Sequence, residues 1–228
     1  MLPEVFFRVL VMGYFLKDGD VMKQKTTGYA LLACSALFGL TMATGAQADV
    51  GKLAETCASC HGKGGASAEA DVPSIGGFSE EYFGGAMKAY KSKERPCVET
   101  KIRSGDKKGT KTDMCQIVKD LSDADIKALA QNFAEKKFVR APQKFDPALA
   151  KKGKDVHDKN CEKCHSEGGS VASDDAGILA GQKMAYLKEQ TEFFLGGKRA
   201  MVKKMKPKLE GLDKSEVEAV IHYYGSFK

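Results

Sequence analysis

Tryptophan is absent from this 228-residue sequence, histidine occurs only four times and proline six times. Long apolar runs are missing as well. The longest, from Tyr29 to about Met42, falls short of the roughly 20 residues that span a bilayer comfortably. No stretch shows a convincing period-two alternation, which argues against a sheet-based fold. No glycine-rich dinucleotide fingerprint occurs, so any catalytic flavin must sit on another chain. Charge of one sign is not abundant either: the formal excess is +6, weak grounds for a nucleic-acid partner.

What the chain does have is cysteine. Seven are many for a cytosolic protein of this size and point to an oxidising compartment. The N-terminal 48 residues agree. Met22-Lys23-Gln24-Lys25 opens a basic region, the apolar run follows, and Ala46-Gln47-Ala48 makes a small-x-small cleavage site before Asp49. This is the layout of a cleavable secretory signal, which predicts a periplasmic protein touching the membrane only through that segment. Residues 1–21 read as an upstream start assignment, with a second membrane segment as the competing reading. Leu31-Leu32-Ala33-Cys34 also resembles a lipoprotein cleavage box. Removing residues 1–48 leaves 32 basic and 27 acidic residues and six cysteines.

The remaining chain contains itself twice. Cys57-Ala-Ser-Cys60-His61-Gly-Lys-Gly-Gly65 returns 104 residues later as Cys161-Glu-Lys-Cys164-His165-Ser-Glu-Gly-Gly169. The same offset pairs Ile75-Gly76-Gly77 with Leu179-Ala180-Gly181, Tyr82 with Tyr186 and Arg95 with Arg199. The offset then falls to 91, pairing Met114 with Met205, Leu121 with Leu212, and Ile126, Leu129 and Phe133 with Val217, Val220 and Tyr224. The first half therefore carries thirteen extra residues between Pro96 and Met114. A period near 100 means two domains rather than a solenoid. The boundaries predicted are 49–140 and 141–228, with Lys136–Gln143 as linker.

Each half reads as helical. A short helix leads into each cysteine pair, and Asp146-Pro147 is a cap followed by proline at the first helical position. Glu80–Ser92 and Met184–Leu195 are equivalent middle helices. Ser122-Asp123-Ala124-Asp125 and Asp213-Lys214-Ser215-Glu216 open the closing helices as capping boxes. Ile126, Leu129, Ala130 and Phe133 then share one face.

Cys-x-x-Cys-His is the attachment signature of c-type haem. On one helical turn, positions i, i+3 and i+4 share a face. Both thiols can then add to the haem vinyls while the histidine reaches the iron. Two such motifs in matching positions predict two covalently bound haem c groups, on Cys57 and Cys60 and on Cys161 and Cys164. His61 and His165 are the expected iron ligands. A zinc site would have to draw ligands about a hundred residues apart, and a thioredoxin-like pair lacks its strand–helix–strand setting.

A methionine opposite the histidine raises the potential and suits electron transfer. Met87, Met114, Met184, Met201 and Met205 are available, and only Met114 and Met205 occupy equivalent places. They are the expected sixth ligands, with Met201 competing in the second half. Met87 and Met184 are assigned to cores. His157 and His222 have no repeat partner and read as surface or hydrogen-bonded residues, with bis-histidine ligation as the alternative. Cys97 and Cys115 bracket the insertion and remain as an even pair, which predicts a disulfide; a free thiol or a ligating Cys115 is the alternative. Lys203, Lys204, Lys206 and Lys208 surround Met205, either as a solvated face or as a positive ring that steers a partner.

The run from His157 to Gly169, Ile178-Leu179-Ala180-Gly181-Gln182, and Met201 to Leu209 resemble the dihaem cytochrome subunit of flavocytochrome c sulfide dehydrogenase. The likeness spans about residues 49–228 and is strongest in the second half. It implies an all-α fold of two tandem class I-like cytochrome c domains, with Met114 and Met205 as axial ligands. It also implies an FAD-containing sulfide dehydrogenase subunit as partner and a small soluble electron acceptor. The chain itself would be an electron-transfer subunit with no catalytic residues. The insertion with Cys97 and Cys115 departs from the family pattern. A free dihaem carrier of the cytochrome c-four type shares the two-domain plan and the Gly-Gln after the motif. Another periplasmic sulfur-compound dehydrogenase could also own such a subunit. A peroxidase-like enzyme would need one iron left open.

Overall fold

The computed structural model describes residues 49–228; the signal segment and the upstream start lie outside the described residues. Helices dominate, as the capping signals require. Helix α1 (Val50–His61) starts at Asp49, whose carboxylate accepts from the Gly51 amide at 2.9 Å. Helix α2 (Glu80–Lys91) starts at Ser79, whose hydroxyl accepts from Tyr82 N. A short antiparallel ribbon follows, β1 (Thr100–Lys101) against β2 (Lys111–Thr112). Helices α3 (Met114–Val118) and α4 (Asp123–Ala134) close the first half. The second half runs through α5 (Pro147–Asn160), a single turn α6 (Ser166–Gly169), α7 (Met184–Leu195), α8 (Lys206–Glu210) and α9 (Lys214–Gly225). The capping boxes at Ser122/Asp125 and Asp213/Glu216 both form. Each satisfies two of the amide groups that a helix start leaves without a partner.

The ribbon is the one departure from an all-helical reading. Its strands are two residues long, too short to show alternation, and they lie wholly within the thirteen-residue insertion.

The first core gathers Phe83 and Met87 of α2, Val118 of α3, and Ile126, Leu129, Ala130 and Phe133 of α4. The second gathers Val156 of α5, Leu187 of α7, and Val220, Ile221 and Tyr224 of α9. Helices α5 and α9 cross closely because Gly153 has no side chain: a Cβ there would lie 2.0 Å from the Ala219 carbonyl oxygen.

Both halves lie within one compact unit. Gln182, buried, accepts from Ser74 N at 3.0 Å and donates to Ser74 O at 2.8 Å. Ser74 and Gln182 occupy the repeat positions of Ile178 and Phe78. Ile178, from the second half, joins the first core together with Phe78. One pseudo-symmetric contact is thus polar and its counterpart apolar. Arg95 also crosses the joint: it donates to Tyr186 Oη and to Gln190 Oε1, each at 3.1 Å. Each guanidinium stacks on an aromatic ring of its own half, Arg95 on Tyr90 at 4.4 Å and Arg199 on Phe194 at 4.2 Å. Among the described residues no helix is long and apolar enough to cross a membrane.

Candidate haem sites

In the first half the motif lies on the last turn of α1, so Cys57, Cys60 and His61 share a helical face as their spacing requires. The helix stops at Gly62, with φ 75°, where a Cβ would meet the Ala66 carbonyl oxygen at 2.2 Å. His61 is buried and its Nδ1 lies 2.9 Å from the Pro73 carbonyl oxygen. A carbonyl can only accept, so Nδ1 carries the proton and Nε2 keeps its lone pair. Burial also lowers the His61 pKa, which favours the neutral, metal-binding imidazole. Burial pushes the Cys57 thiol up to about 11.

These groups open on a cleft of about 1090 Å³, its mouth included, lined by Cys60, His61, Phe83, Met87, Met114 and Ile117 among others. Its largely apolar walls suit a flat, hydrophobic cofactor. Met114, the first residue of α3, faces the cleft from a helix whose start is fixed by Asp113, which accepts from Gln116 N at 2.9 Å. Met87 shares the lining but belongs to the first core. The donor set of two free thiols, a proton-oriented imidazole and a thioether therefore fits a covalently held haem.

Cys97 and Cys115 are joined by a disulfide. It closes the insertion directly beside Met114. From there the ribbon reaches back to the motif. The Ser59 carbonyl, inside Cys57-Ala-Ser-Cys60, accepts from Arg103 N at 3.1 Å, Ser104 N at 2.9 Å and Ser104 Oγ at 3.1 Å. Ser59 stands in the last turn of α1, where carbonyls have no partner within the helix, and the insertion supplies the missing donors. Arg103 is further tied to Asp71 at 2.6 Å.

The second motif differs from its expected geometry. Helix α5 ends at Asn160, and Cys161 to His165 follow as turns beyond it, closed by His165 N donating to Cys161 O at 3.0 Å. A polar trio lies beside them. His157, fully buried, bonds Tyr224 Oη through Nδ1 at 2.9 Å and Glu162 through Nε2 at 2.6 Å. Glu162 also accepts from the Glu167 amide at 2.9 Å. The bond from His157 holds the Glu162 pKa below its usual range. The repeat equivalents of His157, Glu162 and Tyr224 are Leu53, Ala58 and Phe133, so the first half builds the same corner from apolar groups. That exchange was visible in the repeat, but its meaning depends on contacts between α5 and α9.

His165 is partly exposed, and its Nδ1 is buried without a partner. The position matching Pro73 is Gly177. Burial lowers the His165 pKa. Cys161 is partly buried and Cys164 exposed. Met201 and Met205 are both partly exposed in the segment before α8. Met184 packs against the second core. With both ring nitrogens engaged, His157 is a hydrogen-bonded core residue. His222 Nδ1 accepts from Asp146 N at 2.8 Å at the start of α5. The orphaned His165 nitrogen and the two thiols supply the same donor types as in the first half.

Comparisons with known proteins agree with this architecture. The cytochrome c family model matches residues 48–131. The model for cytochrome c oxidase, cbb3-type, subunit III matches residues 148–223. Cytochrome c4 of Pseudomonas aeruginosa is 28% identical over 179 residues, covering 75% of this chain and 81% of that protein. The cbb3-type cytochrome c oxidase subunit FixP of Azorhizobium caulinodans is 32% identical over 117 residues, 51% of this chain; the chain spans only 37% of that relative. The structure of reduced recombinant cytochrome c4 from Pseudomonas stutzeri superposes with TM-score 0.63 at 26% identity, covering 78% of this chain and 96% of that one. Thiosulfate dehydrogenase TsdBA of Marichromatium purpuratum shares the fold, with TM-score 0.61 at 23% identity over 78% of this chain and 39% of that one. Two domain-sized matches in tandem and a fold like that of cytochrome c4 over 78% of this chain lead to one conclusion: the chain consists of two cytochrome c domains in tandem.

Proposed function

We propose that this c4-like electron carrier works in the periplasm as the cytochrome subunit of a sulfide-oxidising flavocytochrome c. Its domains are 49–140 and 141–228, with haem c on Cys57 and Cys60 and on Cys161 and Cys164. His61 with Met114 and His165 with Met205 are the axial pairs. The observation that carries the electron-transfer reading is the first cleft, where a proton-oriented His61 and the thioether of Met114 line one space. Haem c held between such ligands supplies a one-electron iron couple at raised potential. The chain contributes position and surroundings: Pro73 fixes the His61 ring, apolar residues of α2 and α3 exclude water, and Cys57 and Cys60 supply the covalent anchors.

The flavoprotein partner rests on the resemblance of His157–Gly169, Ile178–Gln182 and Met201–Leu209 to the flavocytochrome c subunit. A free carrier is the second reading, favoured by the match to cytochrome c4 over 81% of that protein. A partner of the thiosulfate dehydrogenase kind is a variant of the first. The deciding experiment mixes the purified holoprotein with the flavoprotein subunit of a flavocytochrome c sulfide dehydrogenase and adds sulfide. Reduction of the cytochrome within turnover, with the isolated chain inert toward sulfide and thiosulfate, is the expected result. A stable complex with no sulfide-dependent reduction sinks the sulfide assignment, and substantial turnover by the isolated chain sinks the carrier reading.

A further inference from the structure

The thirteen-residue insertion does more than brace Met114. Its root residues Val98, Glu99, Thr100 and Thr112 line the first cleft beside Cys60 and His61. Its turn crosses to the cysteine side, where three donors converge on Ser59 between the two thiols. Ile102, at the crossing, is buried. Arg103 pins the same turn to Asp71 and to Thr100 Oγ1 at 3.0 Å. The disulfide holds the other end. The ribbon is thus fixed on both the methionine side and the cysteine side of one site.

The two halves differ accordingly. Cys57 and Cys60 are both partly buried, whereas Cys164 is exposed and the second half has no equivalent ribbon. Thioether bonds at Cys57 and Cys60 would tie one edge of a haem to the segment beneath the ribbon. Outer-sphere electron exchange weakens steeply with distance, so a covered edge is a poor port. In the second half Val202 is 71% exposed amid exposed Lys203, Lys204, Lys206 and Lys208. An apolar tip ringed by cations suits brief contact with an acidic surface.

We propose that the disulfide-stapled ribbon is a fixed cover over the thioether edge of the first haem centre, leaving the second half as the face that exchanges electrons with a soluble acidic partner. The inference rests on the dihaem reading above. Its test begins with the oxidised holoprotein and a neutral gadolinium chelate. Haem-methyl resonances are assigned by Overhauser contacts to the β-protons of Cys57 and Cys60 or of Cys161 and Cys164. The second set should relax several-fold faster than the first. Arg103→Ala with Ser104→Pro removes the Asp71 tie and the Ser104 donors while keeping the disulfide, and should bring the first set up to the second. Equal relaxation of both sets in the unmodified protein overturns the cover. Finding only one set of methyl resonances overturns the dihaem reading instead. The port is tested with hexacyanoferrate(III) as anionic oxidant. Lys203→Glu with Lys204→Glu should slow oxidation several-fold, and Lys107→Glu with Lys108→Glu on the ribbon should leave it unchanged. Equal slowing, or slowing by the ribbon variant alone, overturns the assignment of the port.

Discussion

The axial methionines and the polar trio are matters of single residues. Met114 and Met87 line one cleft, and the repeat favours Met114. Met114→Ala should abolish the near-infrared sulfur-to-iron band of the first centre while Met87→Ala keeps it. In the second half Met205→Ala should do what Met201→Ala does not, and the reverse result moves the ligand to Met201. Glu162 gives a pH signature. His157 and the Glu167 amide hold its carboxyl below the ordinary range. A depressed folded pKa contributes stability that is present above the unfolded value of about 4.3 and is lost as pH falls through the folded value. Glu162→Gln should therefore unfold more readily than the parent near neutrality, and the gap should close as acid protonates the parent's carboxylate. A gap that widens below about pH 4 contradicts the assignment. Sequence periodicity could mark 157, 162 and 224 as unlike 53, 58 and 133, but not that the three polar groups meet.

Helices and the ribbon make their own predictions. Gly153 lets α5 and α9 touch, with the Ala219 carbonyl 2.0 Å from where a Cβ would sit. Alanine is favoured over glycine in a helix by about 1 kcal/mol, but overpacking costs roughly 1–3 kcal/mol and backbone contact is the harsher kind. Gly153→Ala should thus lower the unfolding free energy by about 2 kcal/mol, read from the denaturant midpoint. Gly85, exposed on α2 with nothing within 4 Å of a Cβ, isolates the propensity. Gly85→Ala should stabilise by up to about 1 kcal/mol. The Cys97–Cys115 bond spans 18 residues, and Cys97→Ser with Cys115→Ser should cost about 3 kcal/mol on the chain-entropy account. Thiol labelling of the unfolded, unreduced mature protein, residues 49–228, should find no free cysteine once both haems are attached. Helix limits were legible because Ser122, Asp146 and Asp213 cap locally. The ribbon was not, because its register is set by the disulfide and by donors aimed at Ser59.

At the scale of the molecule, the joint between the halves is the least legible feature. Gln182 satisfies both backbone groups of buried Ser74 across 108 residues of sequence. Gln182→Ala leaves that amide and carbonyl unpaired, at roughly 1–3 kcal/mol for each group. The variant should lose cooperativity, so that one unfolding transition separates into two. A single transition with an unchanged midpoint would show that the joint is held elsewhere, by Ile178 and Arg95. Arg95 and Arg199 both donate to Gln190 Oε1, at 3.1 and 2.8 Å, and Arg95 reaches Tyr186 of the other half. The repeat pairs Arg95 with Arg199. Only the folded chain brings both to one glutamine of the second half. By itself the sequence determined the two domains, the two Cys-x-x-Cys-His motifs and the capped helix starts, since each is written in contiguous residues or in the repeat. Tertiary structure alone decided how the second motif turns away from helical geometry, what covers the first, and which residues join the halves. Those features depend on groups 45, 67 and 108 positions apart meeting in space, and no local pattern records that meeting.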